Sequence, residues 1–233
     1  MVTLWGRLTS SNVQKVVWAL GELKLEYKHV PIGGRYGGNK LPDYLAMNPN
    51  GLVPMLRDGG LVIWESHAIV RYLCAEYGSS TLFPPEPAER ALVDQWTDWT
   101  ATTFQPAWID VFWLLVRTPV PEQNQAAIDK ALNQTNRCFD IMEKRLGEVP
   151  YLGGAHLTYA DIVAGVAMYR WTTMPIDRPA RPNVDAWHAR LKERQAFVKG
   201  VNVDYEELRG AARVLSSPKS KHPLVRSERV FET

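Results

Sequence analysis

Three short stretches of this 233-residue chain combine side chains suited to holding a small ligand and stabilising an anion. Ser10, Ser11 and Asn12 stand between an apolar run and a helical pattern. Hydroxyl or amide donors at that point, backed by the positive end of a helix, can stabilise an anion such as a thiolate; the same residue types are also common helix caps. Val53-Pro54 precedes a β-rich run. A proline there can take the cis form and turn a backbone edge outward, ready to pair with an extended peptide, although the sequence suits an ordinary turn proline as well. Glu65-Ser66 falls where a strand enters a helix. The free amides and hydroxyl suit a carboxylate, and Glu65 beside them suits an ammonium, so the pair can receive an amino-acid head group. Capping alone accounts for Ser66 equally well.

The elements that must hold these residues follow from periodicity. Val2 to Trp5 is a short strand, and Val13, Val16, Val17, Leu20 and Leu23 then recur at helical spacing. Glu26 to Ile32 carries β-formers and runs into Gly33, Gly34, Gly37 and Gly38, with at most a short helix at LPDYLAM. Two short strands flank the tight turn Asp58-Gly59-Gly60, and Glu65 to Tyr77 is helical. The order β-α-β-α-β-β-α is that of a thioredoxin-like domain.

Residues 79–88, rich in Ser and Pro, break the pattern. Beyond them the sequence predicts only helices: Glu89 to Val116, Glu122 to Leu146, Tyr159 to Thr173 and Asn183 to Glu193, the last preceded by an RPARP connector. Thr158 and Asp161 have capping-box spacing, with Leu157 and Ile162 placed as a hydrophobic staple. The expected division is an α/β domain over 1–78, a linker over 79–88, an all-helical domain over 89–210 and a basic tail over 211–233.

Composition narrows the class. With 45% hydrophobic residues, a net charge of +2 and its basic residues interleaved with acidic ones, the chain lacks the electrostatic footprint of a nucleic-acid binder. No apolar stretch approaches the roughly 20 residues that span a bilayer, and the opening residues lack a secretory pattern, so a cytoplasmic protein is expected. Cys74 and Cys138 sit in helical patterns among apolar neighbours and read as buried thiols, neither catalytic nor metal-binding. Arg71, His67 and Asp161 read as a solvated helix charge, an exposed histidine and a helix cap.

Taken together, TSSNVQKVVWAL, NPNGLVPML and WESHAIVRYL resemble the N-terminal domain of cytosolic glutathione transferases, and LTYADI resembles the start of a helix in their C-terminal domain. The resemblance covers roughly residues 1 to 200. It implies that Val53 and Pro54 pair with the cysteinyl backbone of glutathione, that Glu65 and Ser66 receive its γ-glutamyl group, and that Lys40 and Asn50 reach its glycyl end. Ser10 aligns with the serine that meets the sulfur in Delta, Theta and Zeta classes, with Ser11 beside it. The S-x-N-x-x-K spacing is similar to the T-x-N-x-x-K of the Nu-type branch and brings in Asn12. No tyrosine or cysteine stands in the loop, so the chain resembles a hydroxyl or amide type.

A free thiol titrates near about pH 8.5, and each donor to its anion is worth about 1.5–3 kcal/mol, enough to raise the thiolate fraction at neutral pH. The resemblance therefore implies a transferase that uses glutathione as co-substrate, with no metal, to attack a small hydrophobic electrophile in a detoxifying role. Trp108, Phe112, Trp113 and Arg117 are candidate pocket residues, although core packing is an alternative for most of them. A glutathione-dependent disulfide oxidoreductase and a non-enzymatic glutathione-binding scaffold are the other readings. A homodimer is implied by the resemblance alone.

Overall fold

The structure, a computed structural model, describes residues 1–211. All but the first residue of the expected basic tail lie outside the described residues. Strands β1 (Val2–Trp5), β2 (Tyr27–Val30), β3 (Met55–Asp58) and β4 (Leu61–Trp64) form one mixed sheet in the order β2-β1-β3-β4. β1 runs parallel to β2 and antiparallel to β3, and β3 pairs antiparallel with β4. Three helices accompany the sheet: α1 (Ser11–Glu22), α2 (Pro42–Met47) and α3 (Ser66–Tyr77). This is the thioredoxin-like order that the sequence predicts.

The helical half holds α4 (Pro87–Trp99), α5 (Gln105–Phe112), α6 (Gln125–Glu148), α7 (Tyr159–Thr173), α8 (Pro182–Lys192) and α9 (Gln195–Val201). No described helix is long and apolar enough to cross a membrane. Three details differ from the sequence reading, the first being α9, which lies beyond the last predicted helix. The single helix expected over 89–116 is α4 and α5 separated by a π turn, Thr100–Phe104, and followed by a second π turn, Trp113–Arg117. Pro106 has no N–H to give to the preceding turn, and the widened turn ends two residues before it. In RPARP the last proline is not connector: Pro182 occupies the first turn of α8, where a missing N–H costs nothing.

Helix α1 decides where the site sits. A surface helix buries one stripe, but eight of the twelve residues of α1 are buried. Val13, Val16 and Leu20 join Leu4, Leu56, Ile69 and Leu73 in the sheet-side core. On another side Trp18 meets Phe197 of α9 edge to face at 4.9 Å. The helix is thus enclosed between the two halves of the molecule. α7 tolerates this approach through Gly165, since a Cβ there would stand 2.8 Å from the Trp18 ring.

Thr158 begins α7 as its sequence predicts. Asp161, fully buried, accepts from the Thr158 amide at 3.0 Å and the Thr158 hydroxyl at 3.1 Å, and then reaches the Leu152 amide at 2.8 Å and the Trp187 indole at 3.0 Å. One carboxylate therefore ties α7 to α8 and to the turn before it.

Candidate functional site

Ser10 caps α1 in an extended conformation (φ −88°, ψ 122°) without using its side chain for the cap. Ser11 is buried in the first turn, and Asn12 is partly exposed. Because α1 is enclosed, Lys15 one turn further on has no route to solvent and is fully buried. Its ammonium is satisfied internally. Nζ donates to Asn12 Oδ1 at 3.0 Å, to His67 Nε2 at 2.8 Å and to the Gln105 carbonyl oxygen, with Ser66 Oγ further away at 3.4 Å. An ammonium has three protons for its three nearest acceptors.

The cluster fixes one orientation of Asn12. An ammonium only donates, so the Asn12 atom facing Lys15 is the oxygen. That oxygen also accepts from Gln105 Nε2 at 3.1 Å and from the Ser66 hydroxyl at 3.4 Å. The Asn12 Nδ2 group is left without a protein partner among the described residues. Gln105, which closes the cluster from the helical half, follows directly on the π turn before α5.

Burial drives the Lys15 ammonium down from 10.5 to about 7, and the Glu65 carboxylate offsets part of this. His67 is pushed down to about 2, first by burial and then by Lys15 and Arg71. Its ring is therefore neutral and accepts through Nε2. His67 is not the exposed histidine that the sequence suggests, nor is Arg71 a solvated charge, since it pairs with Asp94 at 2.7 Å and with Asp98. Burial raises both thiols, Cys74 to about 12, so neither is a thiolate at neutral pH.

Beside this cluster lies a small cleft, about 40 Å³, lined by Asn12, Asn48, Asn50, Leu52, Val53, Pro54, Glu65 and Ser66. The Val53-Pro54 bond is cis. Asn48 holds the segment before it: its side chain donates to the Leu52 carbonyl at 2.9 Å and accepts from the Asn50 amide at 3.1 Å. Lys40 donates to the Asn50 carbonyl at 3.1 Å. Glu65 takes a positive φ of 73° between β4 and α3. A non-glycine residue in that region is strained by roughly 1–3 kcal/mol, a strain typical of ligand clamps.

Six of the residues singled out in the sequence, Asn12, Asn50, Val53, Pro54, Glu65 and Ser66, thus share one cleft. Ser10 and Ser11 do not line it. Trp108 and Phe112 are core residues, 1% and 3% exposed, while Trp113 and Arg117 are half-buried and stack on each other at 3.8 Å. Sequence reasoning missed Gln105 and gave no role to Lys15 or Asn48, although these stand inside the S-x-N-x-x-K and NPNGLVPML segments respectively. A larger hollow, about 770 Å³, lies at the far end of α1 near Lys24, Tyr151 and Arg194 and contains none of these groups.

Comparison with known proteins gives the arrangement a context. Residues 1–75 match the family model of the glutathione S-transferase N-terminal domain, and residues 125–190 match that of the C-terminal domain. The chain is 41% identical over 205 residues to glutathione S-transferase GstB of Escherichia coli, covering 87% of this chain and 99% of that protein. It is 36% identical to glutathione S-transferase 3 of Zea mays over 85% of this chain and 92% of that one. A solved theta-class glutathione S-transferase of Xanthomonas axonopodis pv. citri, with glutathione bound, is similar in structure (TM-score 0.84, 47% identity, 87% of this chain and 98% of that chain).

Proposed function

The chain belongs to the glutathione S-transferase family and is a glutathione transferase, and from that premise we propose that the Asn12 amide, rather than Ser10, is the principal donor to the glutathione sulfur. The observation that carries this reading is the saturation of Asn12 Oδ1 by Lys15, Gln105 and Ser66, which leaves Nδ2 free beside the cleft. A preoriented N–H donor favours the anion over the thiol without having to reorganise as charge develops. Where it holds its proton, below about pH 7, the buried Lys15 behind it acts in the same direction. The thiolate is the nucleophile glutathione supplies. Val53 offers its backbone to the peptide, Glu65 and Ser66 suit the ammonium and carboxylate of the γ-glutamyl group, and Lys40 suits the glycyl carboxylate. Neither disulfide reduction nor a scaffold role is favoured by the relatives.

A cytoplasmic homodimer is part of the same reading. The apolar side chains left exposed on β4 and α4, Leu61, Trp64 and Leu92, support a covered face there.

The test is glutathione binding by calorimetry together with turnover of a model aryl halide. Wild type is expected to bind. Asn12→Ala is expected to lower kcat about ten- to thirty-fold, the loss of one hydrogen bond to a charged group, and Ser10→Ala to lower it less. A collapse with Ser10→Ala and none with Asn12→Ala would move the sulfur donor to the serine.

A further inference from the structure

Three arginines gather behind the loop that follows β1. Arg170, on α7, is 3% exposed; its Nη2 donates to the Thr9 carbonyl at 2.8 Å, and its guanidinium lies over the Phe112 ring at 4.8 Å. Arg117, on the second π turn, stacks on Trp113, the residue after Phe112, and donates to the Ala211 carbonyl at 3.3 Å. Arg7 belongs to the loop itself, with its side chain against Gly34. In all three the buried Nε has no hydrogen-bond partner among the described residues. None of the three is in an ion pair among those residues. The carboxylate that acts on Arg7, Glu207, is already engaged by Arg35 at 2.6 Å and by the Thr9 hydroxyl at 2.6 Å. The Tyr205 hydroxyl, also near Arg170, is shared with Thr173 at 2.9 Å.

Buried cations are ordinarily paired, because an unpaired one loses its hydration without return. Burial and then the charges of Arg7 and Arg117 push Arg170 down to about 10, and Arg117 is lowered in turn by burial and by Arg7. The three charges are therefore close enough to oppose one another. Thr9, which Arg170 holds, immediately precedes Ser10 and the first turn of α1. The cluster thus lies behind the turn that opens α1, whose second residue is Asn12.

We propose that Arg7, Arg117 and Arg170 receive the carboxylate of the second substrate, so that this transferase prefers anionic electrophiles to neutral ones. The proposal rests on the glutathione transferase reading above. Guanidinium groups offer planar, forked donors that match a carboxylate, and here they cover the faces of Phe112 and Trp113 that an apolar ligand would need. The reaction itself is unchanged: a carbon–sulfur bond forms as the carbon–halogen bond breaks, and the halide leaves with the bonding pair.

The test compares 4-chloro-3-nitrobenzoate with 4-chloro-3-nitrobenzamide, each rate divided by the uncatalysed rate with glutathione. Wild type is expected to favour the benzoate in kcat/KM by about ten-fold or more, the effect of one charge-assisted contact. Arg117→Met and Arg7→Met are expected to reduce that ratio about ten-fold, with Arg117→Lys recovering part of it. A wild type that favours the benzamide or fails to turn over the benzoate, or variants that lose both activities equally, would overturn the proposal. Weaker glutathione binding by calorimetry in the variants would also overturn it, by giving the arginines to the glycyl carboxylate instead. Absence of glutathione binding by wild type would remove the underlying reading, a distinct failure.

Discussion

Replacing Lys15 with methionine is expected to lower kcat/KM for glutathione conjugation about 100-fold, more than removing the Asn12 side chain. Asn12→Ala subtracts one donor. Lys15→Met subtracts the positive charge that Lys15 carries below about pH 7 and also the nearest of the three donors that hold Asn12 Oδ1 inward, which weakens the hold on the amide and lets its oxygen turn more readily toward the sulfur, where it would repel the anion. The discriminating measurement is the pKa of bound glutathione, followed through thiolate absorbance. It is expected to rise by about one to two units, the equivalent of one charged hydrogen bond. Reduced turnover with an unchanged thiol pKa would leave Lys15 with a packing role only.

The same residue gives a stability signature. Lys15 titrates at about 7 in the folded chain, against 10.5 for a lysine free in water. Between those values the unfolded chain holds the proton and the folded chain does not, so stability rises as pH climbs from about 7 toward 10.5, by at most roughly a factor of ten in the folding constant per pH unit. Below pH 7 both states are protonated and the full penalty of burying the cation applies. Lys15→Met should flatten this part of the profile, which denaturant titrations across that range would read.

The second large effect concerns stability alone. Asp161→Ala removes the acceptor for the Leu152 amide, the Thr158 amide, the Thr158 hydroxyl and the Trp187 indole. A buried donor left unsatisfied costs about 1–3 kcal/mol, and relaxation shares part of that loss, so a destabilisation of roughly 3–5 kcal/mol is expected. Asp161→Asn should be nearly as damaging, because its NH₂ would face donors where a carboxylate oxygen now accepts. Denaturant midpoints test this; a loss below about 1 kcal/mol would show that water replaces the carboxylate.

Asp161 was legible because capping is local: Thr158 and Asp161 are three residues apart, and α7 occupies Tyr159–Thr173 as its periodicity predicts. The strands and the cleft residues were legible for a similar reason, since Val53-Pro54 and Glu65-Ser66 act through the element that each one begins. Lys15 was not. A lysine in an amphipathic helix reads as a solvated charge, and its burial depends on α9 packing against another side of α1 and on Gln105, 90 residues away. The π turns were equally hidden, because an extra residue per turn alters no local propensity. Trp108, Phe112, Trp113 and Arg117 suggested an apolar pocket; Arg117 reaches Trp113 within one turn, and only the fold brings Arg170 onto the Phe112 face.

The enclosure of α1 bears on how such enzymes can be recombined. Trp18 leans on Phe197, the backbone of Trp18 would lie 3.1 Å from a Cβ at Gly200, and Glu22 pairs with Arg194 at 2.6 Å. The thioredoxin-like half is therefore not an interchangeable module. A chimera that joins residues 1–78 of this chain to the helical half of a relative inherits a first helix shaped for an α9 it no longer has. Swaps that carry residues 194–201 along with the first half preserve that shared surface, and a crossover between residues 78 and 87 alone divides it.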